Sequence, residues 1–505
     1  MKNSDLHPGL NRIMILILFL CFKAVSGKAQ NLPEAVLSLK NAITTQNHII
    51  LTSSISTSFM ISVYDGHRAS QMIEGLIKHY KDLTDIEYLS SNSTKKGQNI
   101  QVVCRFQNSK SFQSVISLNH QGKIERIRFF DKLYGCNVED SSKFVTRIPF
   151  VFAGSKIIVR LRINESPKLL SMLFDTGADG VGLKKSVADE IGVFENRKQN
   201  TNVVGASMQI GISERNTLVF DSLKIPNQNI GLFPNYTDSL DGLFGAAFLR
   251  NYITYIDFEN SVIELYNYGE KVYPEGFTAI PLHFTGLPAI TAKTELNSGK
   301  ELDATLLFDT GASYSFILFG GSVNRNDLLE GFTVQTRGNT VSFGQSTPTV
   351  TGLVNSFSFG NLTLTDFTAT LQTQSKNDKS FQEESDGSLG IEIIKKYNWY
   401  INLAERQFQM KPNRYFTELL PFWLDRYMFG FDKDRLKVVS VNAMNPTEVL
   451  PIRPGDFIES MNGEAPYEYF KTNKIKEFQS ILKTSEIELV VERNRQQFLV
   501  SLPTK

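Results

Sequence analysis

The sequence predicts a multidomain, mainly β protein with a small α+β domain at its N-terminus. The chain has 505 residues, too many for one compact hydrophobic core. From residue 145 to about 411, short strand-like runs alternate with turns rich in Gly, Asn, Ser and Asp, a pattern typical of all-β domains. Within this stretch a segment recurs after 134 residues, which indicates two copies of one small barrel.

The N-terminus has the features of a secretory signal peptide. A positively charged start precedes an apolar run from Ile13 to Phe22, and Gly27 and Ala29 stand at positions −3 and −1 of the expected cleavage site. The run is about half of the ~20 residues that a membrane-spanning helix needs. We therefore expect residues 1–29 to be removed, no transmembrane segment to remain, and the protein to be exported to a periplasmic, outer-surface or secreted location.

Composition limits the classes of function. A net charge of +1 gives no reason to expect nucleic acid as a partner. The histidines are scattered without metal-ligand spacing and no nucleotide-binding fingerprint occurs, so no metal or cofactor is expected. Cys104 and Cys136 remain in the mature chain. An even number in an exported protein predicts a disulfide, although two reduced, buried thiols fit the sequence equally well.

Residues 30–144 form the predicted N-terminal domain. Two stretches have helical periodicity and three alternate as strands: 35–51 and 70–83, then 100–106, 114–119 and 124–130. Helices followed by a meander resemble the cystatin-like and nuclear-transport-factor-like folds. No catalytic motif lies in this domain.

The repeat divides the β region into two lobes, residues 145–268 and 276–411. In each lobe an apolar strand leads into Asp-Thr-Gly-Ala, at Asp175 and again at Asp309. Further along, Asp-Gly-Leu-Phe-Gly at 241–245 recurs as Asp-Gly-Ser-Leu-Gly at 386–390. Two motifs in the same order indicate a duplicated fold.

Two carboxyl groups a few ångströms apart suit the hydrolysis of a peptide bond by water. Like charges at that distance share one proton, so one group is a base toward water and the other an acid toward the carbonyl oxygen. We therefore predict that Asp175 and Asp309 form a catalytic dyad.

The neighbours of the two aspartates have predicted supporting roles. Thr176 and Thr310 are expected to hydrogen-bond across the two loops and to hold their geometry. Gly177 and Gly311 permit the tight turns that present the carboxylates, where a side chain would crowd the backbone.

These motifs resemble the aspartic peptidases of the pepsin and retropepsin group. Ala178 and Ala312 are similar to the retropepsin variant of the motif. Residues 243–245 and 388–390 are similar to the apolar-apolar-Gly element that supports the catalytic loop, although Ser388 replaces the first apolar residue. The resemblance covers residues 145–411. It implies a bilobal double barrel and endopeptidase activity on peptide or protein substrates.

The resemblance also implies substrate-binding elements. The candidates for Gly-containing flap hairpins are residues 202–212 with Gly205 and residues 339–350 with Gly344, and neither carries the flap Tyr of pepsin-like enzymes. Asp179 is a candidate for hydrogen bonding to the substrate main chain. A solvated loop position is the alternative for Asp179.

Residues 415–505 resemble a PDZ domain. The turns at 454–456 and 462–463, a helix near 474–482 and two closing strands at 487–492 and 497–502 match that family. The resemblance implies capture of a peptide by strand addition, with its terminal carboxylate at a loop formed by Phe429, Gly430 and Phe431. A module that only packs on the peptidase is the alternative.

The sequence therefore leaves three functions open. The first is an exported endopeptidase with a peptide-binding module, a pairing that implies a bacterial type. The second is a catalytically inactive peptide-binding adaptor of the same fold. The third is a polysaccharide-binding protein, which the presence of only two Trp disfavours.

Overall fold

A computed structural model describes most of the chain after residue 30. The described residues are 31–203, 206–221, 223–234, 239–342, 345–365, 367–373, 385–418, 420–424, 426–432, 435–441, 450–471 and 486–503. The predicted signal peptide lies outside them. Strands make up 54% of the structure and helices 14%, so the prediction of a mainly β protein is confirmed. Within the described ranges, no helix combines the length and apolar character that crossing a membrane requires.

The chain divides into two compact units, one ending at Asp131 and one beginning at Lys132. In the first unit, helices accompany a six-stranded sheet of order β2-β1-β6-β5-β4-β3, in which only the β1–β6 pair is parallel. Its elements are α1 (Glu34–Thr44), α2 (Ile49–Thr52), β1 (Ile55–Ile61), β2 (Tyr64–Asp65), α3 (Gly66–His79), β3 (Leu83–Thr94), β4 (Gly97–Phe106), β5 (Ser111–Asn119) and β6 (Ile124–Ile127). The last predicted strand ends at Ile127, and α4 (Arg128–Leu133) follows it.

The second unit begins with a closed six-stranded barrel, called barrel 1. Its strands run in the order β9-β10-β15-β11-β14-β13, and β13 pairs with β9 to close it. The elements of this part are β7 (Val138–Ser141), β8 (Phe144–Ala153), β9 (Lys156–Ile163), β10 (Leu170–Phe174), β11 (Val181–Lys184), α5 (Lys185–Glu190), β12 (Arg197–Val203), β13 (Ala206–Val219), β14 (Lys224–Phe233), β15 (Gly242–Phe244), α6 (Ala246–Asn251), β16 (Ile253–Asp257), β17 (Val262–Tyr266) and β18 (Tyr268–Glu270).

Barrel 2 repeats this arrangement. Its order is β21-β22-β28-β23-β27-β25, closed by β25 on β21, with parallel pairs at the same two places as in barrel 1. The elements are β19 (Thr278–Pro281), β20 (His283–Phe284), β21 (Pro288–Leu296), β22 (Glu301–Phe308), β23 (Phe316–Leu318), α7 (Gly320–Arg325), β24 (Thr336–Ser342), β25 (Gln345–Phe359), β26 (Leu362–Leu364), β27 (Phe367–Gln372), β28 (Gly387–Leu389), α8 (Ile391–Ile394), β29 (Tyr397–Asn402) and β30 (Gln407–Pro412).

One antiparallel sheet joins the two barrels. Its order is β8-β17-β16-β29-β30-β19, so each barrel contributes three strands and the halves meet where β16 pairs with β29. At this junction Tyr255 stacks on Tyr400 with ring centroids 4.3 Å apart. The shared sheet fixes the orientation of one barrel against the other, because its hydrogen bonds run continuously through the junction.

The C-terminal region forms a six-stranded antiparallel meander, β31-β32-β33-β34-β35-β36. Asp456 holds it together, accepting hydrogen bonds from Arg493 at 2.7 and 2.8 Å and from the backbone N–H of Arg453 at 2.7 Å. The predicted helix at 474–482 lies outside the described residues. The elements are β31 (Phe422–Leu424), β32 (Tyr427–Asp432), β33 (Arg435–Val441), β34 (Phe457–Met461), α9 (Pro466–Lys471), β35 (Glu486–Arg493) and β36 (Gln496–Pro503).

The predicted disulfide between Cys104 and Cys136 is wrong in this structure. Cys104 lies in the first unit and Cys136 in the second; both are buried thiols, and no disulfide joins them. Cys104 belongs to the apolar core of its unit, where burial raises the pKa of its thiol to about 12. A thiol in such surroundings packs as a small hydrophobic side chain.

Candidate active site

The two predicted catalytic aspartates occupy equivalent positions in the barrels. Asp175 directly follows β10 and Asp309 directly follows β22. Each continues the hydrogen bonding of its strand: the N–H of Asp175 donates to the carbonyl of Phe244 at 2.9 Å, and the N–H of Asp309 donates to the carbonyl of Leu389 at 3.0 Å. The parallel strands β15 and β28 thus fix the point where each catalytic loop leaves its barrel.

The second repeated motif explains why those strands stay in register. The Asp241 carboxylate accepts a hydrogen bond from the N–H of Ser171 at 2.8 Å, and Asp386 accepts one from Thr305 at 3.0 Å. Both aspartates therefore tie the start of β15 or β28 to the strand that leads into Asp175 or Asp309.

The two loops are joined by their threonines, which are fully buried. The backbone N–H of Thr176 donates to Oγ1 of Thr310 at 3.0 Å, and the backbone N–H of Thr310 donates to Oγ1 of Thr176 at 3.1 Å. Each hydroxyl also donates to a carbonyl of the other barrel, Thr176 to that of Phe308 and Thr310 to that of Phe174 at 2.8 Å. Each backbone N–H and each hydroxyl of the two threonines therefore has a partner in the opposite loop or barrel.

The glycines after the threonines make room for the opposite carboxylate. A Cβ atom on Gly177 would lie 2.6 Å from Cγ of Asp309, and one on Gly311 would lie 2.4 Å from Cγ of Asp175. Each glycine N–H also donates to Oδ1 of the aspartate of its own loop at 2.9 Å. These contacts place the two carboxyl groups side by side, with no space for a larger residue.

Burial raises the pKa of both aspartates above that of an exposed carboxyl. For Asp175, the charge of Asp309 and a hydrogen bond with it raise the pKa further, well above the usual range. For Asp309, hydrogen bonds from Asp175, Gly311 and Ser388 oppose the effect of burial. Two carboxyls that share a hydrogen bond hold one proton between them over the pH range in which isolated carboxyls are ionised.

Two further polar residues reach the site, and the sequence reasoning assigned no role to either. The hydroxyl of Ser388 donates to Oδ2 of Asp309 at 3.1 Å. The phenol of Tyr314 hydrogen-bonds Ser388, and burial together with the two carboxylates raises its pKa. The only signal in the sequence was the polar residue at 388 in an otherwise apolar position.

Asp179 lies at the surface, with 74% of its side chain exposed. Its carboxylate is paired with Arg250, and its carbonyl accepts a hydrogen bond from the same guanidinium at 3.2 Å. The carboxylate is therefore solvent-exposed and held in place by Arg250, and its contact with the substrate main chain stays a prediction.

The two flap candidates are antiparallel hairpins. In barrel 1, β12 pairs with β13 up to Val203 and Ala206, and in barrel 2, β24 pairs with β25 up to Ser342 and Gln345. The predicted glycines, Gly205 and Gly344, lie outside the described residues.

The predicted carboxylate-binding loop of the C-terminal region requires correction. Phe429, Gly430 and Phe431 lie within strand β32 rather than in a loop. Phe429 pairs with Phe422 of β31 and is fully buried, and Gly430 pairs with Lys437 of β33. The segment that the resemblance assigned to a loop is instead a strand of a hairpin, with Phe429 in the core.

A small pocket lies between barrel 2 and the start of the C-terminal region. Its walls combine residues that directly follow the catalytic loop with residues of the C-terminal meander: Ser313, Tyr314, Ser315, Phe316, Thr368, Thr370, Glu392, Pro421, Trp423 and Met428. The connecting chain is held by Lys396, whose buried ammonium donates to the carbonyls of Tyr415, Phe416 and Glu418. The C-terminal region is therefore attached close to the catalytic loop of barrel 2.

The chemistry available to this site is that of a shared proton between two carboxyls. One carboxyl can take a proton while the other gives one, and the hydrogen bonds around them hold both in place. Comparisons with protein-family models and with curated proteins find no match to this chain. The functional assignment therefore rests on the contacts of these residues.

Proposed function

We propose that this protein is a bilobal aspartic endopeptidase, with each barrel contributing one half of the active site. One observation carries the proposal: two aspartates at equivalent loop positions are brought side by side, and their loops are tied by reciprocal hydrogen bonds between Thr176 and Thr310. Repeated motifs without this cross-connection would be two separate surface turns.

The proposed reaction is attack of water on a peptide carbonyl. One carboxylate takes a proton from the water as its oxygen bonds to the carbonyl carbon, and the protonated partner gives its proton to the carbonyl oxygen. Collapse of the resulting diol breaks the C–N bond, with a proton passing to the departing amine. The buried threonine bridge keeps the two groups aligned, so little reorganisation is needed during the reaction.

We propose an accessory role for the C-terminal meander. Its turns at 454–456 and 462–463 support a PDZ-like module that holds a peptide near the cleft. The contacts around Lys396 and the pocket beside Tyr314 support a module attached to the peptidase rather than a freely tethered one. Export from the cytoplasm is proposed on the N-terminal sequence alone.

Digestion of a peptide library tests the proposal. The wild-type protein is compared with Asp175→Asn, Asp309→Asn and a control, Asp303→Asn, at an exposed position on β22. We expect each dyad variant to lose about 10²–10⁴-fold in kcat/KM, because general acid–base catalysis contributes that much, and the control to keep its activity. A folded wild-type protein that binds peptides from the library without cleaving them would support the inactive adaptor instead.

A further inference from the structure

The two halves of the dyad differ at two equivalent positions. In barrel 1 the residue of β15 paired with Leu173 is Leu243, and in barrel 2 the residue of β28 paired with Leu307 is Ser388. The fifth residue after the catalytic aspartate is Gly180 in barrel 1 and Tyr314 in barrel 2. Barrel 2 therefore carries two hydroxyl groups where barrel 1 has none.

Both hydroxyl groups act on the same carboxyl. Ser388 is 1% exposed, and its Oγ lies 3.1 Å from Oδ2 of Asp309. Ser388 also hydrogen-bonds the phenol of Tyr314, so the serine hydroxyl links Tyr314 to Asp309.

We propose that Ser388, supported by Tyr314, fixes the position of the shared proton, so that Asp309 is the carboxylate and Asp175 the carboxylic acid of the resting dyad. A donor stabilises an ionised carboxyl more than a neutral one, and only Asp309 receives this additional donor. The pKa of Asp175 lies well above the usual range of a carboxyl, which is consistent with Asp175 as the protonated partner.

The proposal deepens the proposed peptidase function and depends on it for its catalytic consequence. Asp309 then takes the proton of the attacking water, and Asp175 donates its proton to the carbonyl oxygen. When the diol collapses, the proton on Asp309 passes to the amine nitrogen as the C–N bond breaks. The proton of one diol hydroxyl returns to Asp175, which restores the starting state.

The other titratable groups around Asp309 do not oppose this assignment. Tyr314 keeps its proton, because burial and the two carboxylates raise the pKa of its phenol. Glu392, on the helix that follows β28, is ion-paired with Lys395 at 2.9 Å. The group that competes with Asp309 for the proton is Asp175.

The test compares the free energy of unfolding of wild type and Ser388→Ala across pH, which requires no turnover. A hydrogen bond to an ionised group stabilises the folded state more than one between neutral groups. The loss in the folding equilibrium constant should therefore be roughly tenfold larger at neutral pH than in acid, where Asp309 is protonated. In an Asp309→Asn background the loss should not change with pH, and Ser388→Thr should restore wild-type behaviour.

A second arm uses the pH profile of kcat/KM. Ser388→Ala should move the acidic limb to higher pH, because Asp309 ionises less readily without its donor. The alkaline limb should stay in place, because it reports loss of the proton from Asp175. Tyr314→Phe should shift the acidic limb in the same direction by a smaller amount, and it serves as the test variant if Ser388→Ala does not fold.

The two arms separate the two proposals. A protein without peptidase activity that still shows the pH-dependent loss would refute the proposed function and leave the assignment of the charge to Asp309 standing. If Ser388→Ala lowers the stability equally at every pH, and equally in the Asp309→Asn background, Ser388 contributes only through packing and the inference is wrong.

Discussion

Thr176 and Thr310 bridge the two barrels through reciprocal hydrogen bonds, each backbone N–H donating to the hydroxyl of the other residue at 3.0 and 3.1 Å. Both side chains are fully buried, and each hydroxyl is at once an acceptor and a donor. A single threonine hydroxyl thus satisfies one N–H and one carbonyl of the opposite barrel. The bridge lies one residue from Asp175 and from Asp309, so it holds the two aspartates of the proposed dyad in place.

Removal of one of these hydroxyls should destabilise the protein strongly. Thr176→Val keeps the shape of the side chain but leaves the N–H of Thr310 and the carbonyl of Phe308 without their partner. A buried group left unsatisfied costs about 1–3 kcal/mol, so denaturant unfolding should show a loss of that size or more.

Thr176→Ser retains the hydroxyl and is the matched control. The double variant Thr176→Val, Thr310→Val should lose less free energy of unfolding than the two single valine variants lose together, since both residues belong to one network. Strict additivity of the two single losses would show that the hydroxyls act independently.

Gly245 and Gly390 should tolerate no side chain. A Cβ on Gly245 would lie 1.8 Å from the carbonyl oxygen of Asp175, and a Cβ on Gly390 would lie 2.0 Å from that of Tyr314. The backbone must move to admit a Cβ atom at either position. Gly245→Ala and Gly390→Ala should therefore each lower the free energy of unfolding by about 1–3 kcal/mol or more and should also lose activity.

Gly180→Ala is the control for this pair, because nothing lies within 4 Å of a Cβ at that position. It should change stability by less than about 0.5 kcal/mol. Thermal unfolding of the three variants provides the comparison, and equal melting temperatures would show that the loops adapt to the added methyl group.

Asp175→Asn should make the protein more stable than wild type at neutral pH. Burial and the charge of Asp309 raise the pKa of Asp175, so the folded state holds a proton that the unfolded chain releases at the ordinary pKa of a carboxyl. The free energy of unfolding of wild type therefore falls as the pH rises from that ordinary value toward the raised one. Asparagine carries no such charge, and the variant should escape this loss.

The difference between Asp175→Asn and wild type should shrink in acid, where both carboxyls are protonated. Asp303→Asn, at the surface of β22, should show no comparable dependence on pH. Unfolding midpoints measured from acid to neutral pH decide the matter. A wild-type protein that remains the more stable of the two at neutral pH would contradict a proton shared between Asp175 and Asp309.

The segment after β30 should belong to the folded core of barrel 2. Lys396 donates to the carbonyls of Phe416 and Glu418, and Phe416 contacts the ring of Tyr397 with centroids 5.4 Å apart. A chain ending at Pro421 should therefore be about 1–3 kcal/mol more stable than one ending at Arg414, since bonds to a charged donor are retained.

Lys396→Met in both truncated chains is the control for this comparison. The difference in stability between the two truncated chains should largely disappear, because the carbonyls of the segment then have no ammonium to bind. The sequence placed the end of the second lobe at residue 411, and an Arg414 chain as stable as the Pro421 chain would favour that boundary.

Much of the barrel architecture followed from local patterns. The repeated Asp-Thr-Gly-Ala and Asp-Gly motifs predicted duplication, and the apolar strand before each aspartate is β10 or β22. Predictions failed where distant partners decide the outcome. Phe429 to Phe431 form a strand because β31 and β33 pair with that segment on both sides. Cys104 and Cys136 lie in different units and stay thiols, which no local pattern could decide.

The sequence by itself determined that two carboxyls of the same motif exist and that each is followed by a threonine and a glycine. Those features are local, because the period of a strand and the turn preference of glycine depend on adjacent residues. Only the tertiary structure decided how the two halves differ. Ser388 and Leu243 occupy equivalent strand positions, yet only Ser388 can donate to a carboxyl, and Tyr314 reaches it where barrel 1 has Gly180. That difference depends on hydrogen bonds between residues 79 positions apart, which no local pattern encodes.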